Sequence, residues 1–331
     1  MQVRARRTAL GWSQATLARR AGVSRQLVSA VESGRHEPGV SAALAIASAL
    51  GVSVEALFAD PENRPDVEPV VDAALPVGPV RVGVVRGRTV AVPVGVLDQL
   101  DGVVADGRWT GSHLELEAGA RPAAVIMVGC EPALGVLTGL TVGGATALWV
   151  KASSGAARSA LDAGRAHLAA VHDRADRLPP VPDDVAAFDV ARWRVGIAFD
   201  RAHRSAADAV TDGAVAQRER SAASQAAFVR WLRWQGMAVP PGPRVAGHVE
   251  ACRAVTDGAA AAAVTVEPVT VAAGLEFEPL EEHLVQLWCP RDLLADPEVA
   301  LVLDRFHSGA FADRVAALPA YDTSVLGRTV A

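Results

Sequence analysis

The chain has 331 residues, of which 50% are apolar and 21% are charged, so it can bury a sizeable core and is not disordered throughout. No stretch reaches the roughly 18 apolar residues of a membrane-spanning helix, and the first residues lack the apolar core of a signal peptide. The three cysteines (Cys130, Cys252 and Cys289) lie far apart, which predicts neither a disulfide framework nor a metal-binding cysteine pair. We therefore expect a cytoplasmic protein with no membrane partner.

Charge is unevenly distributed along the chain. Residues 1–38 carry seven arginines against two glutamates, although the formal net charge of the whole chain is −5. A basic head on an acidic body is typical of a phosphate-binding module joined to a module that does not bind nucleic acid. Small domains also differ by several charges without any function, so charge alone assigns none.

Residues 1–60 predict a domain of five short helices. Apolar residues recur there at helical spacing, and a glycine follows most of the predicted helices, where a left-handed residue would end them. Serines stand where several of the helices would begin, because a serine hydroxyl accepts an otherwise unpaired backbone N–H. These N-cap candidates are Ser13, Ser24 and Ser53.

Three segments of different character follow. Residues 61–79 hold five prolines and several acidic residues, which predicts an extended, semi-rigid linker. Residues 80–121 alternate apolar and polar side chains, which predicts a small β-rich connector with a hairpin turn at Gly87-Arg88. Over residues 122–331, short apolar segments alternate with alanine-rich helices, which is the pattern of an α/β domain.

Within the first domain, residues 13–35 have the pattern of two helices joined by a tight glycine turn. Apolar side chains such as Val28 would form a small core between them. The outer face of the second helix then presents Arg25, Gln26 and Ser29. This arrangement suits the major groove of DNA, where arginine reads guanine and glutamine reads adenine.

This segment resembles the helix-turn-helix domains of the phage-repressor, XRE-like class over residues 3–58. The resemblance implies an internal ion pair between Arg7 and Glu32, and it departs from the family at Arg6, where a buried aliphatic side chain is usual. It also implies a phosphate contact through Arg35. The alternative is a helical bundle that serves protein contacts only. The complete set of implied DNA-binding residues is Gln14, Ser24, Arg25, Gln26, Ser29 and Arg35.

The α/β region contains no catalytic motif. It has no phosphate-binding loop of the GxxxxGKS/T type, no HExxH motif and no GxSxG nucleophile elbow. His167 and His172 fall on opposite faces of a predicted strand and do not form a metal site. Glu281 and Glu282 have the pattern of a solvated loop. We therefore expect no enzyme activity, no cofactor and no metal.

The same region contains several strand-to-helix turns with small polar residues. A helix N-terminus offers free backbone N–H groups and the positive end of the helix dipole, so several such turns at one cleft form an anion site without a catalytic group. A serine before a helix is more often a simple cap, and each turn alone is weak support. The candidate ligand-binding residues are Cys130, Ser153, Ser154, Arg218, Arg220, Ser221, Ser224 and His248.

The region also resembles the periplasmic-binding-protein-like domains related to molybdate-binding proteins, through segments such as GCEPALGVL (129–137) and LWVKASSGAARSALDAGRAHLAAVH (148–172). The resemblance covers most of residues 122–325. It implies two α/β lobes, with the chain crossing between them twice and the ligand in the cleft. It further implies a molybdate-like oxyanion, whereas a carboxylate or phosphate metabolite would recruit Arg218 or Arg220.

One turn departs from that family. Ala223 and Gln225 stand where glycine and arginine are usual, within the turn over 218–225. The added Cβ atoms limit how closely a ligand approaches the backbone N–H groups. The departure leaves two possibilities open: a cleft that binds a different ligand, and a cleft that binds none.

The predicted fold class is therefore multidomain: an all-α helix-turn-helix head, a β-rich connector and a two-lobe α/β domain. We predict a transcriptional regulator that binds double-stranded operator DNA as a homodimer, because paired half-sites supply affinity and specificity, and that senses a small anion. The alternative is a ligand-independent DNA-binding protein whose altered lobes are only a dimerisation scaffold. An enzyme on the same scaffold would need a nucleophile–base pair, and the sequence shows none.

Overall fold

The computed structural model describes residues 2–52, 54–58, 67–100, 102–141 and 146–330. The chain divides into two compact units, Met1–Asp66 and Val67–Ala331, which are called the head and the body below. Within the described ranges, no helix is both long and apolar enough to cross a membrane.

The described part of the head consists of five helices around one apolar core. All five contribute to that core, and Leu17 and Val28 are completely buried in it. Ser13 and Ser24 cap the second and third helices as predicted, whereas the predicted cap Ser53 lies outside the described residues. The helices are α1 Gln2–Ala9, α2 Gln14–Ala21, α3 Arg25–Glu32, α4 Val40–Leu50 and α5 Val54–Phe58.

The first helix is oriented by Val3 and Arg7, which lie one helical turn apart and are both buried. Arg6 is exposed. The position where the resemblance implies an aliphatic side chain therefore faces solvent, and Val3 supplies the apolar contact of this helix with the core.

The body begins with β1 Val67–Pro69, β2 Gly78–Val85, β3 Arg88–Pro93, α6 Val96–Leu100, β4 Gly107–Trp109 and β5 Leu114–Leu116. These strands form a sheet in the order β1-β3-β2-β4-β5. The β2–β3 hairpin turns through Arg86 and Gly87, both with positive φ, one residue earlier than predicted. Because β1 pairs with β3 in parallel, residues 67–79 of the predicted linker belong to the body and not to an extended connection.

The rest of the body is α/β, as predicted. Its main sheet has the strand order β10-β11-β9-β12-β8-β6-β7, with β13 pairing with β9. A short 3-10 helix, Arg291–Leu293, follows β12. The elements are β6 Val125–Val128, α7 Ala133–Leu140, β7 Ala147–Val150, α8 Ser154–Asp162, β8 Leu168–Asp173, β9 Val185–Phe199, α9 Ala206–Asp212, β10 Val215–Ala216, α10 Ala223–Gln235, α11 His248–Thr256, β11 Ala262–Val266, α12 Glu267–Ala272, β12 Glu276–Pro290, α13 Pro297–Phe306, α14 Gly309–Ala316 and β13 Thr329–Val330.

Two long antiparallel strands, β9 and β12, connect two lobes. β12 pairs with β8 through Leu284–Trp288, and β9 pairs with β11 through Val195–Phe199. The first lobe therefore contains β6, β7 and β8 with helices α7, α8, α13 and α14, and the second contains β10 and β11 with helices α9 to α12. The chain crosses between the lobes twice, which is the arrangement that the resemblance implies.

Candidate functional site

Helix α3 of the head presents a polar outer face. Val28 and Val31 point into the core, whereas Arg25 and Gln26 are exposed and Ser29 is half-buried. The predicted outward orientation of these three polar residues is therefore the one found. An exposed arginine and glutamine at the start of a helix supply the hydrogen-bonding groups that read base edges in the major groove.

The other three predicted DNA-binding residues make contacts within the head. The Ser24 hydroxyl accepts a backbone N–H of its own helix at 3.1 Å, and Arg35 donates from Nε to the hydroxyl of Ser33 at 2.8 Å. Both Ser24 and Arg35 are exposed. Gln14 is half-buried, and its amide donates to Glu32 Oε2 at 2.9 Å, so this side chain is held by an acidic partner.

The predicted ion pair between Arg7 and Glu32 is confirmed. Arg7 donates from Nε to Oε1 at 2.5 Å and from Nη2 to Oε2 at 3.0 Å, and its Nη1 donates to the Trp12 carbonyl at 2.5 Å. Burial acts to raise the pKa of Glu32, but the hydrogen bonds from Arg7 and Gln14 outweigh it and hold that pKa below its ordinary value. The pair thus fixes α1 against α3 with its donors and acceptors satisfied.

In the body, the structure brings turns of the two lobes together. Ser153 Oγ of the first lobe lies 3.1 Å from Ser221 Oγ of the second, and Lys151 Nζ donates to Glu250 Oε1 at 2.9 Å. Of the eight predicted ligand-binding residues, only Arg220 and Ser221 are exposed. The buried ones are Cys130, Ser153, Ser154, Arg218, Ser224 and His248.

Arg218 is completely buried at the edge of this cleft. Its Nη2 donates to the Ala246 carbonyl at 2.6 Å, but Nε and Nη1 have no hydrogen-bond partner among the described residues. The hydroxyl of Ser224 and both ring nitrogens of His248 are also buried without a described partner. A buried cation with incomplete hydrogen bonding is costly, so the cleft is suited to a group that accepts hydrogen bonds and carries negative charge.

The altered turn over 218–225 is held in place by hydrogen bonds of Gln225. Gln225 Oε1 accepts the Arg218 backbone N–H at 2.9 Å, and its Nε2 donates to Gln217 Oε1 at 3.0 Å. Gln225 therefore braces the turn that carries Arg218. Helix α10 starts within this turn, at Ala223, and its N-cap residue Ala222 provides no side-chain hydrogen bond. The first N–H groups of α10 are free of a side-chain cap, which favours an anion there.

Helices α7 and α8 differ from α10 in this respect. The N–H of Ala133, at the start of α7, donates to Glu131 Oε1 at 2.8 Å, and the N–H of Ala156 donates to Ser153 Oγ at 3.3 Å. The hydroxyl of Ser154 is hydrogen-bonded to the backbone of His172, at 3.0 Å from its N–H. The serine-rich turn of the first lobe is thus engaged in capping and bracing within the protein.

Several residues of the cleft were not predicted from the sequence. Glu131 is completely buried and accepts hydrogen bonds from Ala133 N–H, from Trp193 Nε1 at 2.8 Å and from the Tyr321 hydroxyl. Burial raises the pKa of Glu131, against the opposing effect of these hydrogen bonds. Its carboxyl joins the first lobe to strand β9 and to the C-terminal segment.

A chain of hydrogen-bonding side chains also crosses the cleft. Cys130 Sγ lies 3.0 Å from His172 Nε2, His172 Nδ1 lies 3.0 Å from His283 Nδ1, and His283 Nε2 lies 3.4 Å from Glu281 Oε2. Glu281 is on strand β12 and is ion-paired with Arg230, so the prediction of a solvated loop at this residue is wrong. The acidic residues around it resemble a loop in sequence, but their pairing with β9 buries one face of the strand.

Charge and burial set the protonation of these groups. Burial raises the pKa of the Cys130 thiol to about 11, although the nearby Arg218 guanidinium acts to lower it. Burial also lowers the pKa of His172 and of His248 well below the ordinary value, and Arg218 acts in the same direction on both. Both imidazoles are therefore neutral at physiological pH, and Arg218 carries the buried positive charge beside them.

A helix-turn-helix head followed by a two-lobe α/β body with a polar cleft defines the class of this protein. The chain matches the helix-turn-helix family model HTH_3 over residues 3–57 and the PBP superfamily domain over residues 140–307. The second match covers just over half of the chain, so the chain belongs to the PBP superfamily domain family and carries a helix-turn-helix domain before it. Both resemblances described from the sequence are thereby confirmed.

Two relatives match about a fifth of this chain. An uncharacterized transcriptional regulator in the ATPase CF(0) region of Rhodospirillum rubrum is 48% identical over 62 residues, which are 19% of this chain and 57% of that protein. The chain thus spans little more than half the length of this curated relative. The structure of the hypothetical transcription factor NHTF from Neisseria is 41% identical, covering 19% of this chain and 71% of that chain, with a TM-score of 0.18.

The body has similar solved structures at low identity. The regulatory domain of CcmR from Synechocystis PCC6803, in complex with 2-PG, is 14% identical, covering 57% of this chain and 95% of that chain, with a TM-score of 0.43. The effector-binding domain of QuiR in complex with shikimate is 9% identical, covering 59% of this chain and 98% of that chain, with a TM-score of 0.41.

Proposed function

We propose that this protein is a DNA-binding transcriptional regulator whose head reads operator DNA and whose body binds a small anionic metabolite. The observation that carries the ligand class is the guanidinium of Arg218. It is completely buried, and two of its nitrogens have no partner among the described residues. A carboxylate or phosphate oxygen pair matches the fork of a guanidinium, which gives a short, charge-assisted pair of hydrogen bonds.

The remaining donors of the cleft support the same ligand class. Ser224 offers a buried hydroxyl, and the start of α10 offers N–H groups without a side-chain cap. Molybdate, by contrast, can be held by neutral donors alone and does not require the buried arginine. We therefore favour a carboxylate- or phosphate-bearing metabolite over the oxyanion.

On the DNA side, the proposal rests on the exposed polar face of α3 and on the positive charge of the head. Arg25 and Gln26 are exposed at the N-terminal end of that helix, and Arg35 is exposed beyond its other end. We further propose a homodimer that places two such helices on paired half-sites, because one helix of this length reads only a few base pairs. We also propose that the protein is a regulator without enzymatic activity.

Isothermal titration calorimetry of the full chain tests the ligand. The titrants are phosphate, small mono- and dicarboxylates, phosphorylated metabolites, molybdate, tungstate and sulfate. Arg218→Lys keeps the charge but loses the fork, and Arg220→Lys is the matched control on the exposed neighbour. We expect a carboxylate or phosphate compound to bind, with affinity lost in Arg218→Lys and kept in Arg220→Lys.

Two results would redirect the proposal. Binding of molybdate or tungstate that survives in Arg218→Lys would favour the oxyanion sensor. Absence of binding for the whole panel, with DNA binding and dimerisation intact, would favour the ligand-independent scaffold. DNA binding itself is measured by fluorescence anisotropy, with operator fragments selected from random duplexes by the full chain.

A further inference from the structure

Three strong metal ligands meet in the cleft, each from a different element. Cys130 follows β6, His172 lies on β8, and His248 begins α11. Their ligand atoms all lie within 4.8 Å of one another, and all three residues are buried. We propose that Cys130, His172 and His248 bind a transition metal ion of the zinc type, a site that goes beyond the proposed anion sensing.

The donor set matches zinc in chemistry and nearly in geometry. A thiolate with two imidazoles is the mixed sulfur and nitrogen set that Zn²⁺ favours, and Mg²⁺ and Ca²⁺ avoid such ligands. Usual zinc–ligand bond lengths in a tetrahedron require donor atoms about 3.3–3.6 Å apart. Cys130 Sγ and His172 Nε2 are 3.0 Å apart, so shifts of about 1 Å bring the three atoms to that geometry.

His172 already has the outer hydrogen bond that zinc-binding histidines require. Metal coordination through Nε2 leaves the proton on Nδ1, and Nδ1 lies 3.0 Å from Nδ1 of His283. His283 then donates from Nε2 toward Glu281, 3.4 Å away. Zinc-binding histidines are usually oriented by a hydrogen bond from the second ring nitrogen, and here His283 is in place to accept it and Glu281 lies next in line.

His248 supplies an independent observation. It is 3% exposed, and neither of its ring nitrogens has a hydrogen-bond partner among the described residues. Buried polar atoms in proteins are nearly always satisfied, so an imidazole with two unpaired nitrogens indicates a ligand. A metal ion would take one lone pair of a neutral ring, which is the form that burial favours here.

Charge links this site to the anion. Binding of Zn²⁺ releases one proton from the Cys130 thiol, so the cleft gains one net positive charge. Arg218 lies near the thiol and opposes that gain. A bound anion offsets it, and three protein ligands leave a fourth position on the metal for an anion oxygen or water. Zinc and the anion are therefore expected to strengthen each other's binding by the same factor.

The site is tested on the full chain, stripped with a chelator under reducing conditions and then reconstituted without any candidate anion. We expect one Zn²⁺ per chain by inductively coupled plasma mass spectrometry, and no stoichiometric Mg²⁺. Co²⁺ is expected to give a sulfur-to-metal charge-transfer band in the near ultraviolet and visible bands typical of four-coordination. These spectra report coordination by a thiol without the need for a variant.

Matched variants then assign the ligands. Cys130→Ser and His248→Gln are expected to lower zinc affinity by more than the roughly 10–100-fold that an outer-shell change costs, and Cys130→Ser to remove the charge-transfer band. Two variants serve as controls: Cys252→Ser, at a buried cysteine hydrogen-bonded to Thr265, and His203→Gln, at a half-buried histidine. Both controls are expected to keep the zinc affinity and the charge-transfer band. Circular dichroism checks that each variant is folded.

The proposal is overturned if the reconstituted wild-type chain holds no stoichiometric Zn²⁺, Co²⁺ or Cu⁺, or if Cys130→Ser retains both the metal and the charge-transfer band. Arg218→Lys separates this proposal from the anion sensor, because it removes the anion's partner and no metal ligand. Zinc binding without any anion binding would support the metal site and not the anion sensor. Anion binding by a chain that takes up no metal would support the sensor and not the metal site.

Discussion

The head and the body differ in where their recognition groups come from. In the head, the predicted base-reading residues lie on one helix, α3, and its helical period alone turns them outward. In the body, Cys130, His172 and His248 come from three elements that are brought together only by the sheet topology. In a site on one helix, local sequence spacing determines which side chains come together. In a cleft between lobes, the topology of the fold determines it.

The two regions also differ in how they treat a buried arginine. Arg7 in the head has a bidentate carboxylate partner and a backbone carbonyl, so its role is to hold the helices together. Arg218 in the body is more deeply buried, yet two of its nitrogens have no partner among the described residues. These unpaired donors support the proposed role of Arg218 as an anion ligand, whereas the satisfied donors of Arg7 indicate a structural role.

The largest effect is expected from breaking the paired arginine. Arg7→Ala leaves Glu32 buried without its cation, which costs about 3–5 kcal/mol of folding free energy in comparable pairs. Hydrogen–deuterium exchange of the full chain is expected to show lost protection in peptides of the head and unchanged protection in the body. Arg6→Ala, an exposed neighbour, is the control. A head that keeps wild-type protection in Arg7→Ala would contradict the structural role of this pair.

The next effect concerns base reading by α3. Arg25→Ala is expected to cost about 1–3 kcal/mol of DNA-binding free energy and to relax the base preference at one position, because a side chain that reads a base edge is lost. Arg35→Ala is expected to weaken all sequences alike and to reduce the salt dependence, as for a phosphate contact. Anisotropy titrations at several salt concentrations measure both. Unchanged selectivity in Arg25→Ala would remove α3 from the role of recognition helix.

Replacement of Arg218 is expected to change stability in the opposite direction to replacement of Arg7. Arg218→Met removes a buried cation two of whose nitrogens have no hydrogen-bond partner among the described residues, so in the absence of ligand the body is expected to gain about 1–3 kcal/mol in free energy of unfolding. The same variant is expected to lose anion binding. Thermal denaturation with and without the best anion of the panel measures both effects. A destabilised Arg218→Met body would show that the guanidinium is already satisfied.

The smallest effect is a pH dependence of the head. The folded-state pKa of Glu32 lies below the ordinary value of 4.5, so its contribution to stability is complete above that value and is lost as the pH falls through the lowered pKa. The melting temperature of the head is expected to fall in this acid range. Glu32→Gln, measured over the same range, is expected to flatten the dependence. Identical pH profiles for the two chains would count against the assignment.

Much of the architecture was predictable because local patterns determine it. The caps Ser13 and Ser24 lie where spacing and capping place them. Polar residues such as Asp189 and Glu282 interrupt the apolar pattern of β9 and β12, so the sequence does not indicate the full length of these strands. The pairing of the two strands with each other keeps these stretches extended.

The chemistry of the cleft was less predictable for the same reason. His172 was considered only with His167, its neighbour in sequence, although its partners Cys130 and His283 lie 42 and 111 residues away. Nothing in the sequence neighbourhood of Glu131 indicates Trp193 or Tyr321 as hydrogen-bond donors to its carboxyl. Spacing rules detect ligands within one element, and they do not detect ligands that topology brings together.

The pairing of β9 with β12 has a mechanical consequence. Both lobes share these two strands, so the lobes are joined by a continuous two-stranded ribbon and not by loops. The register of that ribbon is interrupted between Pro279 and Glu281 and again between Val285 and Gln286. Interrupted hydrogen bonding makes a ribbon easier to bend at those points than elsewhere. A rotation of one lobe against the other therefore has to bend or twist this ribbon.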